Sequence, residues 1–296
     1  MPNIFINGIQ IEYDTFGDSS LPPLLLINGL GSQMIRWEEE FCEELARHGL
    51  FVIRFDNRDV GLSTKFEEAG VPNIVQAMAA LQKGEKLEAP YTLDDMAADA
   101  VGLLDGLGIE KAHICGVSMG GMIAQIIAIQ YPSRVLSLTS IMSHTGNPDL
   151  PRAKPEALAV LTAPVPTERE AYIEHSVKTI RVIGNPGFPF IEERYRKRAA
   201  REYDRSFYPQ GTARQLMAVM VAGDREPELA SVKVPTLVIH GSDDPLVPVE
   251  GGRATAAAIP GAELLIIEGM GHDVGCPETW PRWIEAIVRN TRKAVE

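Results

Sequence analysis

Cysteine is scarce in this chain. Cys42, Cys115 and Cys276 are odd in number and lack metal-ligand spacing, which argues against a disulfide framework and against a metal site. Each reads as a small buried side chain, in a reducing compartment by default. Long apolar runs are missing as well: 24–27 has only strand length, and residues 1–7 show neither the basic stretch nor the apolar core of a secretory signal. A cytoplasmic protein with no membrane attachment is therefore expected. Basic charge is short, since 28 Lys and Arg against 40 Asp and Glu give a net charge of −12, which disfavours nucleic acid and anionic membranes as partners. Internal repeats and low-complexity tracts are absent. What remains is an ordinary globular chain of 296 residues with 45% hydrophobic content, long enough for one large core and a smaller insertion.

The apolar pattern alternates between strand and helix. Residues 3–16 read as two short strands around Asn7-Gly8, a dipeptide that favours a hairpin, and 23–27 as a buried strand. A helix over 37–48, with Glu38, Glu39 and Glu40 at its start, ends at Gly49; a strand over 50–55 leads into the polar loop 56–63. A threonine-capped helix runs from 92 to about 107, followed by strands at 112–116, 135–142, 234–240 and 263–267, and by a terminal helix over 277–292. Such alternation predicts a mostly parallel sheet covered on both faces, with ligands at the carboxyl ends of its strands. Between 143 and about 229 the strands stop, and prolines cluster at Pro148, Pro151, Pro155, Pro164 and Pro166. Helical patterns take over there, so residues 143–228 are expected to form a helical cap inserted in a core made of 1–142 and 229–296. A short helix at 73–81 is expected to border that cap.

One motif carries chemistry. Gly116-Val117-Ser118-Met119-Gly120 joins an apolar strand to a long apolar helical pattern, 119–131. Among 26 glycines such a pattern can arise by chance, so its surroundings decide. A strand-to-helix turn is what lifts a serine hydroxyl above a parallel sheet, with glycines where side chains would clash. Ser118 is thus a candidate nucleophile, and the first helical N–H, that of Met119, can face an anionic intermediate. Acyl transfer also needs an imidazole base, a carboxylate to orient it and a second oxyanion donor.

His272 follows the last expected strand and so shares an edge of the sheet with Ser118. His144 and His240 are rivals at strand ends, while His48, His113 and His175 read as structural. The acid must come between serine and histidine in chain order, and 239–245 offers Asp243 and Asp244. The loop Asn28-Gly29-Leu30-Gly31 after the third strand offers Leu30 as the second donor, with Asn28 able to brace the loop through its amide.

Together these segments, with the Arg58-Asp59-Val60-Gly61-Leu62-Ser63 loop, resemble the α/β-hydrolase superfamily over the whole core. Within it the chain is most similar to the aclacinomycin-methylesterase-like carboxylesterases, with which it shares that loop and 91–97. The resemblance implies an α/β-hydrolase fold, with a mostly parallel eight-stranded sheet flanked by helices and an inserted cap. It implies a cofactor-free, metal-free serine hydrolase, and its register favours Asp244 over Asp243. The family's histidine before the glycine is replaced here by Asn28.

The expected activity is hydrolysis of small to medium, largely apolar carboxylic esters, with Ser118, Asp244 and His272 catalytic and Leu30 and Met119 donating to the oxyanion. A lactonase, a C–C bond hydrolase or a perhydrolase would use the same residues, and a ligand receptor on this fold is the non-enzymatic alternative. Dehalogenases and epoxide hydrolases are disfavoured, since they place aspartate at the elbow. Pocket candidates in the cap are Phe188, Phe207 and Met217, with Phe190, Tyr208 and Met220 beside them. The basic run at Arg194, Arg196, Lys197, Arg198 and Arg201 reads as a solvated helix face with Glu193–Lys197 and Arg198–Glu202 pairs. The sequence leaves monomer and dimer equally open.

Overall fold

The computed structural model describes residues 2–294. Eight strands form one sheet: β1 (Asn3–Ile6), β2 (Ile9–Phe16), β3 (Pro23–Ile27), β4 (Phe51–Phe55), β5 (Ala112–Val117), β6 (Val135–Ile141), β7 (Thr236–Gly241) and β8 (Glu263–Ile267). Their spatial order is β1-β2-β4-β3-β5-β6-β7-β8. The β1–β2 and β2–β4 pairs are antiparallel and every other pair is parallel. Asn7 and Gly8 turn the first hairpin with φ of 50° and 79°, the left-handed pair that a two-residue turn needs.

The helices are α1 (Glu39–Arg47), α2 (Ile74–Gln82), α3 (Leu93–Gly106), α4 (Met119–Gln130), α5 (Pro155–Thr162), α6 (Arg169–Ile183), α7 (Glu192–Arg205), α8 (Pro209–Val221), α9 (Glu226–Leu229), α10 (Val249–Ala258) and α11 (Trp280–Arg292). Side-chain alternation explains why the strands are continuously apolar. In β3, Leu25 and Ile27 join Ile53, Phe55 and Ile114 under α3 and α4, whereas Leu24 and Leu26 join Val52, Cys115 and Val117 under α1 and α11. Each such leucine, fully withdrawn from water, contributes about 1.5–3 kcal/mol.

Thr92 caps α3 by accepting the Asp95 N–H, and Asp95 accepts the Thr92 N–H in return. All three cysteines are free and buried. Among the described residues no helix is long and apolar enough to cross a membrane.

Element boundaries differ from the sequence-based expectation where local chemistry intervenes. The strand expected from 234 begins at Thr236, because Pro235 has no N–H to give the ladder; its carbonyl still accepts the Leu138 N–H at 3.0 Å. The helix expected over 37–48 begins at Glu39, after a 3-10 turn at Met34–Arg36. Between β6 and β7 the described chain forms α5 to α9 and no strand. It lies over the carboxyl edge of the sheet, where α8 meets α2.

Candidate active site

Ser118 sits between β5 and α4 with φ of 56° and ψ of −120°, a conformation that costs a non-glycine residue on the order of 1–3 kcal/mol. Its surroundings impose it. A Cβ on Gly116 would stand 2.0 Å from the Gly120 carbonyl oxygen, and one on Gly120 would stand 2.2 Å from that of Ile27. The Ser118 N–H donates to Ile141 at 2.9 Å, and the Ser143 hydroxyl donates to the Ser118 carbonyl at 2.8 Å. Although a serine at a helix N-cap ordinarily turns its oxygen to the first N–H groups, Ser118 makes no such bond.

The Ser118 hydroxyl instead donates to His272 Nε2 at 3.0 Å, and His272 Nδ1–H donates to Asp244 Oδ2 at 2.7 Å. Asp244 is buried, and its Oδ1 accepts the N–H groups of Leu246 and Val247 at 2.9 and 2.8 Å, which fixes its second oxygen toward the ring. Asp243 is tied up elsewhere, accepting the Ser242 hydroxyl at 2.6 Å and the Gly269 N–H at 3.1 Å. Thus the structure brings together Ser118, His272 and Asp244, from the ends of β5, β8 and β7, and leaves Asp243 out. The His272 N–H donates at 2.6 Å to Ile183, the last residue of α6, while Asn185 accepts the Gly271 N–H at 2.8 Å.

The loop after β3 comes equally close. A Cβ on Gly29 would lie 3.2 Å from Ser118 Cβ, so the loop backbone packs directly on the serine. The Ser32 N–H donates to Gly29, and the Gly31 N–H donates to Gln215 Oε1 at 2.8 Å. Among the described residues the Leu30 and Met119 N–H groups have no acceptor, so both are open to an incoming oxygen. Asn28 does not brace this loop through its amide. Both of its amide atoms are buried without a partner, its backbone carbonyl accepts Asn57 Nδ2 at 3.2 Å, and the bracing falls to Gln215.

A cavity of about 740 Å3 opens onto Ser118 and His272 between the sheet edge and α5 to α8. Its walls are mostly apolar, with Met78 and Leu81 of α2 facing Leu216 and Met220 of α8. Of the pocket candidates, Phe207 lines the cavity, as do Tyr208 and Met220; Phe188, Phe190 and Met217 do not. Phe188 packs against the buried cluster that contains Met270 and Val274, and Phe190 stacks on Tyr195. Met217 is buried one position beyond Leu216, about 100° around α8 from the cavity face.

A polar end is formed by Arg36, Tyr172, Arg198 and Glu202. There the expected Arg198–Glu202 pair is absent: Glu202 takes both Arg36 nitrogens at 2.8 Å, and Arg198 contacts Asp273 at 3.3 Å. Burial acts to raise the Glu202 pKa, but the Arg36 guanidinium outweighs it and holds the carboxyl below its usual value.

The rival histidines have other partners. His240 Nε2 pairs with the Val247 carbonyl at 2.8 Å. His144 lines the cavity with Nδ1 accepting the Gly146 N–H at 3.0 Å, which places its ring proton on Nε2; burial, then nearby Arg225, pushes its pKa down to about 4. Gln215 carries no local sequence signal, because it acquires its place through contacts distant in the chain, whereas His144 was legible as a histidine at a strand end.

A strained serine on a strand-to-helix turn thus stands in hydrogen-bond contact with an imidazole and, through it, a carboxylate from later strand ends. The profile of the α/β hydrolase fold matches residues 22–275, and the chain belongs to that family and is a hydrolase. It is similar to the rhodomycin D methylesterase DnrP of Streptomyces peucetius, 31% identical over 92% of each chain. The 3-oxoadipate enol-lactonase 2 of Acinetobacter baylyi is 26% identical over 95% of this chain and 94% of its own. Among solved structures, a meta-cleavage product hydrolase of Pseudomonas fluorescens IP01 superimposes with a TM-score of 0.76 at 21% identity, covering 99% of this chain and 98% of its own.

Proposed function

We propose that the chain is a serine carboxylic ester hydrolase whose acyl-enzyme forms on Ser118. The observation that carries this reading is the continuous hydrogen-bond relay from Ser118 through His272 to Asp244, opening into an apolar cavity. In the forward step His272 Nε2 takes the hydroxyl proton as Ser118 Oγ attacks the ester carbonyl, and the Leu30 and Met119 N–H groups hold the oxyanion. Collapse breaks the C–O bond to the alcohol, which leaves with the proton from His272. Water, deprotonated by the same imidazole, then releases the acid and restores the serine. Asp244 holds the tautomer that makes both transfers possible.

Residues 143–228 act as a cap on a core of 1–142 and 229–296, and the cap determines which esters fit. The methylesterase relative, the mostly apolar walls and a volume within the usual ligand-pocket range support an ester with a small alcohol and a bulky apolar acid part. Steady-state hydrolysis of p-nitrophenyl esters of graded acyl length, alongside methyl esters and lactones, tests the reading. Repeated turnover is expected with wild type and a loss of several orders of magnitude with Ser118→Ala. Single turnover of every ester by wild type would support a receptor, and preference for lactones would move the activity to the lactonase side.

A further inference from the structure

The N-terminal half of α8 is built into the core. A Cβ on Gly211 would stand 1.9 Å from the Asp59 carbonyl oxygen, so helix and loop touch backbone to backbone. Arg214, 1% exposed, makes paired bonds of 2.8 Å to both carboxylate oxygens of Asp59, a residue held at φ of 69°. Next to it Gln215 is fully buried and spans two core loops: its Oε1 accepts the Gly31 N–H and its Nε2 donates to the Arg58 carbonyl, both at 2.8 Å.

The Gly31 contact matters because of where Gly31 lies. In the loop 28–32 the Ser32 N–H turns back to Gly29 and the Gly31 N–H goes to Gln215, which fixes the backbone just after Leu30 and leaves the Leu30 N–H without an acceptor among the described residues, open to an incoming oxygen. Asn28, the residue positioned to support the loop from within the core, does not do so with its side chain.

Resting on the serine-hydrolase reading above, we infer that Gln215 is a positioning residue for the oxyanion site: a side chain of the cap fixes the loop that carries the Leu30 donor. The oxyanion site is then complete only while α8 is seated on the core. Loss of one oxyanion donor in other serine hydrolases slows the chemical step by about 100- to 1000-fold, and a mispositioned donor costs a fraction of that. The expectation for Gln215→Met, which keeps the length and removes both polar atoms, is a fall in kcat of about 10- to 100-fold with KM changed by less than about threefold.

The test pairs kinetics with binding of phenylboronic acid, which adds to the serine oxygen as a tetrahedral anion and so probes the oxyanion site without turnover. Gln215→Met should lose boronate affinity in parallel with kcat at every pH, and Gln215→Glu, whose protonated carboxyl both accepts the Gly31 N–H and donates to the Arg58 carbonyl, should recover most of both, relative to wild type at the same pH, as the pH is lowered toward about 5. Boronate affinity and kcat of Gln215→Met within threefold of wild type would overturn the inference, as would Gln215→Glu losing as much as Gln215→Met across the whole pH range, since the residue would then be only structural. Should Gln215→Met fail to fold by circular dichroism, Gln215→Glu decides alone: boronate affinity that returns toward wild type as the pH falls supports the role, and a loss independent of pH refutes it. Failure of wild type itself to bind the boronate or to hydrolyse esters would instead refute the serine-hydrolase reading.

Discussion

Ser118 is legible in the sequence because everything that makes it unusual is local. Its φ follows from a turn between a strand and a helix, and the glycines at 116 and 120 stand where backbone meets backbone. Gly120→Ala should therefore disrupt the elbow even though alanine is a good helix former, because its methyl has no space beside Ile27. A loss of soluble folded protein or of Ser118 reactivity is expected, measured by circular dichroism and active-site titration. A buried histidine outside the site offers a different test. His113, 1% exposed, pairs through Nδ1 with the Ser137 hydroxyl at 2.8 Å, and burial pushes its pKa down to about 4. The unfolded chain then binds this proton more readily than the folded one between about pH 6.5 and 4. This contribution to stability is intact above pH 6.5 and declines as pH falls toward 4. Urea unfolding should show wild type losing about 1 kcal/mol more than His113→Asn between pH 7.5 and 5.5.

At the scale of elements, α7 shows what periodicity conveys and what it omits. Its charges read as a solvated face, and for Glu193–Lys197, paired at 2.8 Å with both side chains exposed, that is what the structure holds. Arg196 pairs with Glu170 and Glu174 of the neighbouring α6, and most of the rest grips the core: Arg194 pairs with Glu38, Arg201 with Glu39 at 2.5 Å, Arg205 with Asp56 at 2.7 Å and Glu202 with Arg36. Spacing within a helix identifies neighbours one turn away, and it is blind to carboxylates supplied by a loop or a distant helix. The two kinds of pair should differ in energy. Lys197→Ala is expected to change stability by less than about 0.5 kcal/mol. Glu202→Gln, which leaves the Arg36 guanidinium beside a neutral and largely buried group, should cost about 3 kcal/mol by urea denaturation. The same blindness misplaced Met217 and Phe188, since which face of α8, or which side of the loop 184–191, meets the cavity depends on packing that no apolar pattern encodes.

Across the whole molecule, the parallel sheet does the assembling. Ser118 and His272 lie 154 positions apart, yet the carboxyl ends of β5, β7 and β8 bring serine, carboxylate and imidazole to one edge. Strand order and chain order made that edge readable, because apolar strands alternating with helices allow few other arrangements. Residues 143–228, proposed as a cap, were readable only as an interruption. Their contacts with the site, Gln215 at the Gly31 loop and Ile183 at the His272 N–H, depend on tertiary docking over separations that leave no motif. The cavity between the two layers follows from the same docking, and its mostly apolar walls imply that acyl chains long enough to reach α8 gain in kcat/KM over acetyl. A p-nitrophenyl ester series checks this, with a rise expected from acetate to at least the butanoate.

The central claim is that Ser118 is the nucleophile of an ester hydrolase, and stoichiometric labelling tests it most directly. Titration with a fluorophosphonate, followed by intact-mass and peptide analysis, should show one adduct per chain, located on Ser118, with ester hydrolysis lost in proportion to labelling. Hydrolysis that persists when Ser118 is fully modified, or an adduct located on another residue, would contradict it.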